Sequence, residues 1–257
     1  MVKDKNLSVI IAGAGDSKRL GQNISKQFVL LNEKPLLFYS LEKFIQLGNV
    51  IEIIIVTNDL EETKSHLLSF PPEARLAGGG TSHLKQINLK VAQGGKLRQD
   101  SVYNGFLDVN PRSDFVLVHD VARPLFDLSD TKKCIEVASM SGAAILAVPL
   151  VDTVKKGKLD KGSLVIEGTL NRESLYLVQT PQVFSYGLLS DAYKWYRDIS
   201  GKHFVFTDEA ALIEFFGKPV NLVIGNRENI KITYPEDLEI ANSILKNCVH
   251  KEGIFIH

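Results

Sequence analysis

Apolar residues in this chain come in short runs, separated by stretches where they recur every three or four positions. The first run, Leu7 to Ile11, is interrupted only by Ser8 and reads as a strand buried on both faces. From Pro35 to Phe44 the period lengthens: Leu36, Leu37, Tyr39, Ser40, Leu41 and Phe44 fall near a 3.6-residue repeat, with Pro35 suited to a first helical turn. Val50 to Val56 is a second, β-branched strand. Asp59 is placed to cap a helix running to about Leu68, which Phe70-Pro71-Pro72 stops. Leu89 to Ala92 predicts a short strand, and Gln93-Gly94-Gly95 turns it into a helix through Leu107. Phe115 to Val118 is another buried strand, Ser129-Asp130 caps a helix to about Met140, and Ala143 to Pro149 is strand-like.

This alternation predicts an α/β fold, a doubly wound, mostly parallel, Rossmann-like sheet with helices on both faces. Ligands of such sheets sit beyond the carboxyl ends of the strands. Polar clusters follow the strands ending near Ile11, Ala92 and Val118, so all three should meet on one rim. The pattern then changes. Residues Asp152 to Gln179 are polar, contain Gly157, Gly162 and Gly168, and predict a protruding β-hairpin arm. Helices follow at roughly Ser185–Tyr196 and Asp208–Phe216, then a last core strand at Val220–Val223 and an extended piece at Asn229–Thr233. A closing helix runs from Pro235 to about Leu245, with Glu236 and Asp237 at its positive end.

Composition narrows the function. Thirty cations balance thirty anions over 257 residues, so no global field draws the chain to nucleic acid or a membrane, and any anion site must be a local cluster. No apolar run is long enough to span a bilayer, and no secretory signal is expected. Cys134 and Cys248 lack metal-ligand spacing, which suits a reduced, cytoplasmic setting.

The first turn, Gly13-Ala14-Gly15-Asp16-Ser17-Lys18-Arg19-Leu20-Gly21, lets backbone N–H groups approach a phosphate or a base, and Arg19 and Lys26 add positive charge. Taken alone it is equally a tight strand-to-helix turn with solvated cations, since it has neither dinucleotide nor P-loop spacing. Asp120 ends a buried strand, where a carboxylate can face Mg²⁺ or a ribose hydroxyl, or cap a turn. His119 reads as a packed core residue. Arg98 and Arg172 read as surface cations, and Thr207-Asp208-Glu209 as a helix cap with acids in the first turn. Lys231, between Ile230 and Ile232, is placed to point inward as an anion ligand.

Together these blocks are more specific. The opening loop with Ser25-Lys26-Gln27-Phe28 resembles the sugar-phosphate nucleotidyltransferases. Arg98-Gln99-Asp100-Ser101-Val102, His119-Asp120-Val121-Ala122-Arg123-Pro124, Val151-Asp152-Thr153-Val154-Lys155, Gln179-Thr180-Pro181-Gln182-Val183-Phe184, Thr207-Asp208-Glu209-Ala210 and Asn229-Ile230-Lys231-Ile232-Thr233 follow in the order typical of the 2-C-methyl-D-erythritol 4-phosphate cytidylyltransferases. The resemblance runs from about residue 7 to 246. It departs at Ser17, where the family usually has glycine, at Gly13, where alanine is usual, and at Lys96, where an acid is often seen. The 71–89 stretch is also longer than usual.

The resemblance implies a single nucleotidyltransferase domain over 1–257 that joins CTP to a polyol phosphate, 2-C-methyl-D-erythritol 4-phosphate, giving CDP-methylerythritol and pyrophosphate for non-mevalonate isoprenoid biosynthesis, with Mg²⁺ as cofactor. Arg19, Lys26 and Lys231 would be catalytic. Ala12, Gly13, Ala14, Gly15, Gly94, Gly95 and Ser101 would hold the nucleotide. Asp120 would serve ribose and the metal, and Arg123, Thr153, Arg172 and Thr207 the acceptor. The 152–179 arm would cross to a second subunit of a homodimer in the cytoplasm. Two alternatives stay open at this point: ribitol-5-phosphate as the acceptor, and a non-catalytic nucleotide-binding module.

Overall fold

Seven strands form one mixed sheet in the computed structural model, which describes residues 5–15, 18–21, 24–70, 76–77, 85–198 and 204–252. In chain order the elements are β1 (Leu7–Ala12), α1 (Leu36–Ile45), β2 (Val50–Thr57), α2 (Leu60–Ser69), β3 (Asn88–Gln93), α3 (Arg98–Leu107), β4 (Phe115–Asp120), α4 (Leu128–Ser141) and β5 (Ala143–Pro149). Then come β6 (Lys155–Asp160), β7 (Ser163–Thr169), β8 (Tyr176–Ser185), α5 (Tyr186–Asp198), α6 (Glu209–Phe215), β9 (Asn221–Ile224) and α7 (Pro235–Glu252). The sheet order is β9-β5-β8-β4-β1-β2-β3, with only β8 antiparallel to its neighbours.

The continuous apolar runs are explained by a core on each face, because successive strand residues point to opposite sides. Val9 and Ile11 of β1, Ile53 and Ile55 of β2 and Leu117 of β4 pack with α1, α4 and α7. Ile10, Ile54, Val56, Val116 and Val118 pack with α3, α5 and α6. Parallel pairing aligns Ala12 with Val56 and Asp120, and Val56 with Ala92, so the carboxyl ends of β1 to β4 share one rim. No helix among the described residues is long and apolar enough to cross a membrane.

Several expectations shift. The cap of α4 is Asp127, whose carboxylate accepts from the Ser129 and Asp130 N–H groups, so the helix starts earlier than Ser129-Asp130 suggests. Helix α7 continues beyond Leu245. The last strand, β9, is an edge strand with only Val223 buried, because it pairs with β5 alone. The arm is shorter than 152–179: β6 and β7 pair only with each other, whereas 176–179 belong to β8, a strand inserted between β4 and β5. Asn229–Thr233 forms no strand; the Ile232 N–H donates to the Ala122 carbonyl, and the Ile232 side chain is buried. Of the long 71–89 stretch, Leu76–Ala77 pairs with Lys85–Gln86, and 71–75 and 78–84 lie outside the described residues.

Candidate active site

Local bonds tie the strand ends into a cleft. Gly13 N–H donates to Val56 O at 2.9 Å and Gly94 N–H to Thr57 O at 2.7 Å, fastening the two glycine turns to β2. A Cβ on Gly94 would lie 2.3 Å from Asn58 Oδ1, and one on Gly95 2.4 Å from the Asp100 Cβ, so close approach excludes larger residues here. Ser101 Oγ accepts from Gly95 N–H at 2.9 Å and donates to Leu97 O at 3.1 Å, closing the second turn. Asp100 accepts from Leu97 N–H and caps α3. Asp16 and Ser17 of the first turn lie outside the described residues.

The cleft, about 470 Å³, is large enough for a small ligand. Its walls include Ala12, Ala14, Gly15, Arg19, Lys26, Gly95, Ser101, Asp120 and Lys231 from the residues singled out above. Asn58, Lys96 and Arg98 also line it. Gly13 lies behind the wall, where an added Cβ would come 2.2 Å from Gln27 Oε1. Arg123, Thr153, Arg172 and Thr207 do not line this cleft. Arg123 donates to the carbonyls of Asn229 at 2.8 Å and Val178 at 3.0 Å. Thr153 and Arg172 are exposed at the base of the arm, with Arg172 donating to Val151 O, and Thr207 is exposed just before the α6 cap, Asp208.

Lys26 is no surface lysine. It is 7% exposed, on a short 3₁₀ turn, Lys26–Phe28. Gln27 of that turn donates to Thr57 Oγ1 at 2.9 Å and Thr63 Oγ1 at 2.7 Å, and Phe28 stacks on His66. Burial, reinforced by the charges of Lys231 and Arg19, pulls the Lys26 ammonium below its ordinary range. Three cations therefore face a common space and repel one another.

Asp120 is the only carboxylate lining the cleft among the described residues. Its Oδ2 accepts from Lys231 Nζ at 2.6 Å, and its Oδ1 accepts from Arg98 Nε at 3.1 Å, with Arg98 Nη2 in ion-pair contact at 3.0 Å. Burial would raise this carboxyl, but Arg98 and Lys231 outweigh it and hold the group well below the ordinary carboxylate range. Arg98 also donates from Nη1 to both oxygens of Glu209, which is 2% exposed. Arg98 is thus no surface cation, and Glu209 no solvated helix-end acid. His119 is buried between Phe44 and Phe126, with Nδ1 3.0 Å from Thr180 Oγ1. Burial pushes its pKa down to about 3, so it stays neutral and packed, as expected.

Asn58, Gln27 and the Arg98–Glu209 pair do not stand out along the chain as site residues. Asn58 carried a usable signal, a polar residue directly after a buried strand. The structure shows its Nδ2 donating to Ala14 O at 2.7 Å. Glu209 carried none, because a buried first-turn acid and a solvated one look identical in sequence.

Residues 7–247 match the family model described as 2-C-methyl-D-erythritol 4-phosphate cytidylyltransferase. The chain is 38% identical over 245 residues to the protein of that name from Desulforamulus reducens, covering 95% of this chain and 98% of the other. It is 39% identical over 253 residues to the one from Alkaliphilus metalliredigens, covering 98% of each. Among solved structures it is similar to the 4-diphosphocytidyl-2C-methyl-D-erythritol synthase of Anaerococcus prevotii, with a TM-score of 0.75, 28% identity and coverage of 94% and 96%. It is also similar to the 2-C-methyl-D-erythritol 4-phosphate cytidylyltransferase of Francisella tularensis, with a TM-score of 0.68, 32% identity and coverage of 92% and 98%.

Proposed function

The chain belongs to the 2-C-methyl-D-erythritol 4-phosphate cytidylyltransferase family, and on that premise we propose how its residues divide the work. It is a nucleotidyltransferase of isoprenoid biosynthesis that joins CTP to 2-C-methyl-D-erythritol 4-phosphate, releasing pyrophosphate. Nothing favours ribitol phosphate or a silent nucleotide-binding role over this reading.

An acceptor phosphate oxygen forms a bond to the α-phosphorus of CTP. The bond from that phosphorus to the β-phosphate oxygen breaks, and its electron pair leaves with pyrophosphate. The nucleophile is already an anion, so no protein base is needed; the neutral, buried His119 suits that division. The obstacle is repulsion. Two unit charges at about 4 Å cost about 4 kcal/mol at an effective dielectric of ~20. Arg19, Lys26 and Lys231 are the groups that offset it, most strongly as charge builds on the α-phosphate. The observation that carries this reading is the crowding of these cations around one desolvated lysine, which an incoming polyphosphate relieves.

Backbone near Ala12, Gly13 and Ala14, the Gly94-Gly95 turn and Ser101 form the nucleotide side, with Gly15 at the phosphates. Asp120 fits Mg²⁺, which takes one or two carboxylates together with substrate phosphates and does not need a protein cage. Bound there, Mg²⁺ would neutralise phosphate charge. Arg123, Thr153, Arg172 and Thr207 are assigned to the acceptor.

The arm supports a homodimer. Leu159, Leu164 and Ile166 are 77%, 81% and 66% exposed on a hairpin that pairs with no other strand, a surface suited to cover by a second copy. Thr153 and Arg172 would then act on the partner's acceptor. The buried free thiol of Cys134 suits a reducing, cytoplasmic compartment.

Incubating the purified protein with CTP, Mg²⁺ and methylerythritol phosphate tests the reading. Pyrophosphate and a cytidine-diphosphate methylerythritol, identified by mass, are expected. Ribitol 5-phosphate in its place should yield far less. Absence of product with methylerythritol phosphate would overturn it.

A further inference from the structure

The reaction gives the buried acid Glu209 no task. Glu209 opens α6 and is outside the cleft wall, yet it is 2% exposed and spends both carboxylate oxygens on one guanidinium nitrogen, Arg98 Nη1, at 3.2 and 3.0 Å. A helix-end acid that merely complements the dipole sits in solvent, and Asp208 already caps this helix. Arg98 Nε donates to Asp120 Oδ1, Nη2 lies in ion-pair contact with the same oxygen, and Lys231 takes Asp120 Oδ2. The four groups form one chain, Glu209–Arg98–Asp120–Lys231. A planar guanidinium held at Nη1 turns its Nε–Nη2 edge toward its second partner in a fixed direction.

We infer that Glu209 is a positioning residue for the nucleotide side of the site: it clamps Arg98, and Arg98 sets the orientation of the Asp120 carboxylate. Without Glu209, the fork is free to turn onto both Asp120 oxygens, displacing Lys231, or onto the incoming phosphates. This inference rests on the assignment of Asp120 to the nucleotide. A purely architectural role would act differently. Glu209 follows Thr207 by two residues, so an acid that only anchors α6 would, when removed, disturb the acceptor side.

The test is Glu209→Gln, which keeps the shape and removes the charge, with CTP binding read by titration calorimetry and KM measured for both substrates. CTP affinity should fall on the order of tenfold or more, as misplacement of a contact residue does. The KM for methylerythritol phosphate should change less than about twofold, and in an Arg98→Met background Glu209→Gln should cost less than about twofold further. A matching rise in the acceptor KM, or losses that multiply in the double variant, would reduce Glu209 to an anchor of α6 and overturn the inference. If Glu209→Gln does not fold, Glu209→Asp carries the same expectation, since it keeps the charge and shortens the reach. Failure of the wild-type protein to bind CTP would instead remove the nucleotide assignment, and the inference with it.

Discussion

Lys231 Nζ lies 2.6 Å from Asp120 Oδ2, although 111 positions separate the two residues in the chain. The contact joins the carboxyl end of β4 to an irregular segment that precedes α7. It gives the cleft a fixed anion among cations, and Lys231 is held in place on a wall it shares with Lys26 and Arg19.

Lys26→Ala should lower kcat by roughly 10²–10³-fold, the usual loss when one donor to developing transition-state charge is removed. The fold should survive, since burial and two neighbouring cations already disfavour the Lys26 charge. Steady-state kinetics and a thermal melt check both halves; near-normal turnover would take Lys26 out of the mechanism.

The depressed pKa of Lys26 has a signed consequence. Below its folded pKa, the native state carries a strained ammonium. Between that value and the ordinary 10.5, the native state holds fewer protons than the unfolded one, so this group's contribution to stability rises with pH. A bound triphosphate reverses the bias, because it favours the charged lysine. CTP binding in that alkaline window should therefore take up protons and weaken as pH rises. Calorimetry in buffers of different ionisation enthalpy measures the uptake; its absence in wild type, or its persistence in Lys26→Ala, contradicts the assignment.

Gly95→Ala should lose CTP affinity. The new Cβ meets the Cβ of Asp100 at 2.4 Å, its carbonyl carbon at 3.0 Å and the Ser101 nitrogen at 3.1 Å. Helix backbone cannot yield as a flexible side chain does, so the turn itself must shift. Overpacking of this kind costs about 1–3 kcal/mol of stability. A denaturant melt and a CTP titration should show both effects, and an unchanged titration would mean the turn does not touch the nucleotide.

Arg172→Glu and Lys231→Glu should each be inactive alone. If the arm works in trans, co-refolded mixtures should regain about a quarter of wild-type activity, because half the dimers are mixed and each has one intact site. No recovery would place Arg172 in its own subunit's site, and an active Arg172→Glu would place it outside the reaction.

Leu164→Glu puts a charge on the most exposed apolar residue of the arm strands without touching the main sheet. Sedimentation should show a shift from dimer to monomer, with the melting temperature of the main fold changed little. An unaffected dimer would mean that the arm is not its interface.

Much of this was legible along the chain. The runs at Leu7–Ile11, Val50–Val56 and Phe115–Val118 announced strands buried on both sides, and the glycine turns after them announced the rim. These signals are local: a strand between two helical layers is mostly apolar, and the run shows along the chain whatever lies far away in sequence. Strand β8 was not legible as a strand. Its middle, Gln179-Thr180-Pro181-Gln182, is polar and carries a proline, and the pairing register with β5 breaks between Val178 and Gln182. Those polar groups are buried and satisfied from afar, Gln179 by Asn226 O, Thr180 by His119 and Gln182 by Asp208.

The sequence by itself determined the alternation of strands and helices, the glycine turns and the edge on which chemistry collects, because periodicity and turn geometry are set by near neighbours. Only the tertiary structure decided that Glu209 is buried against Arg98, that Lys231 reaches Asp120, and that a polar strand sits inside the sheet. A charge or an amide goes inside only where a partner from elsewhere in the chain meets it, and folding alone determines which distant residues become partners.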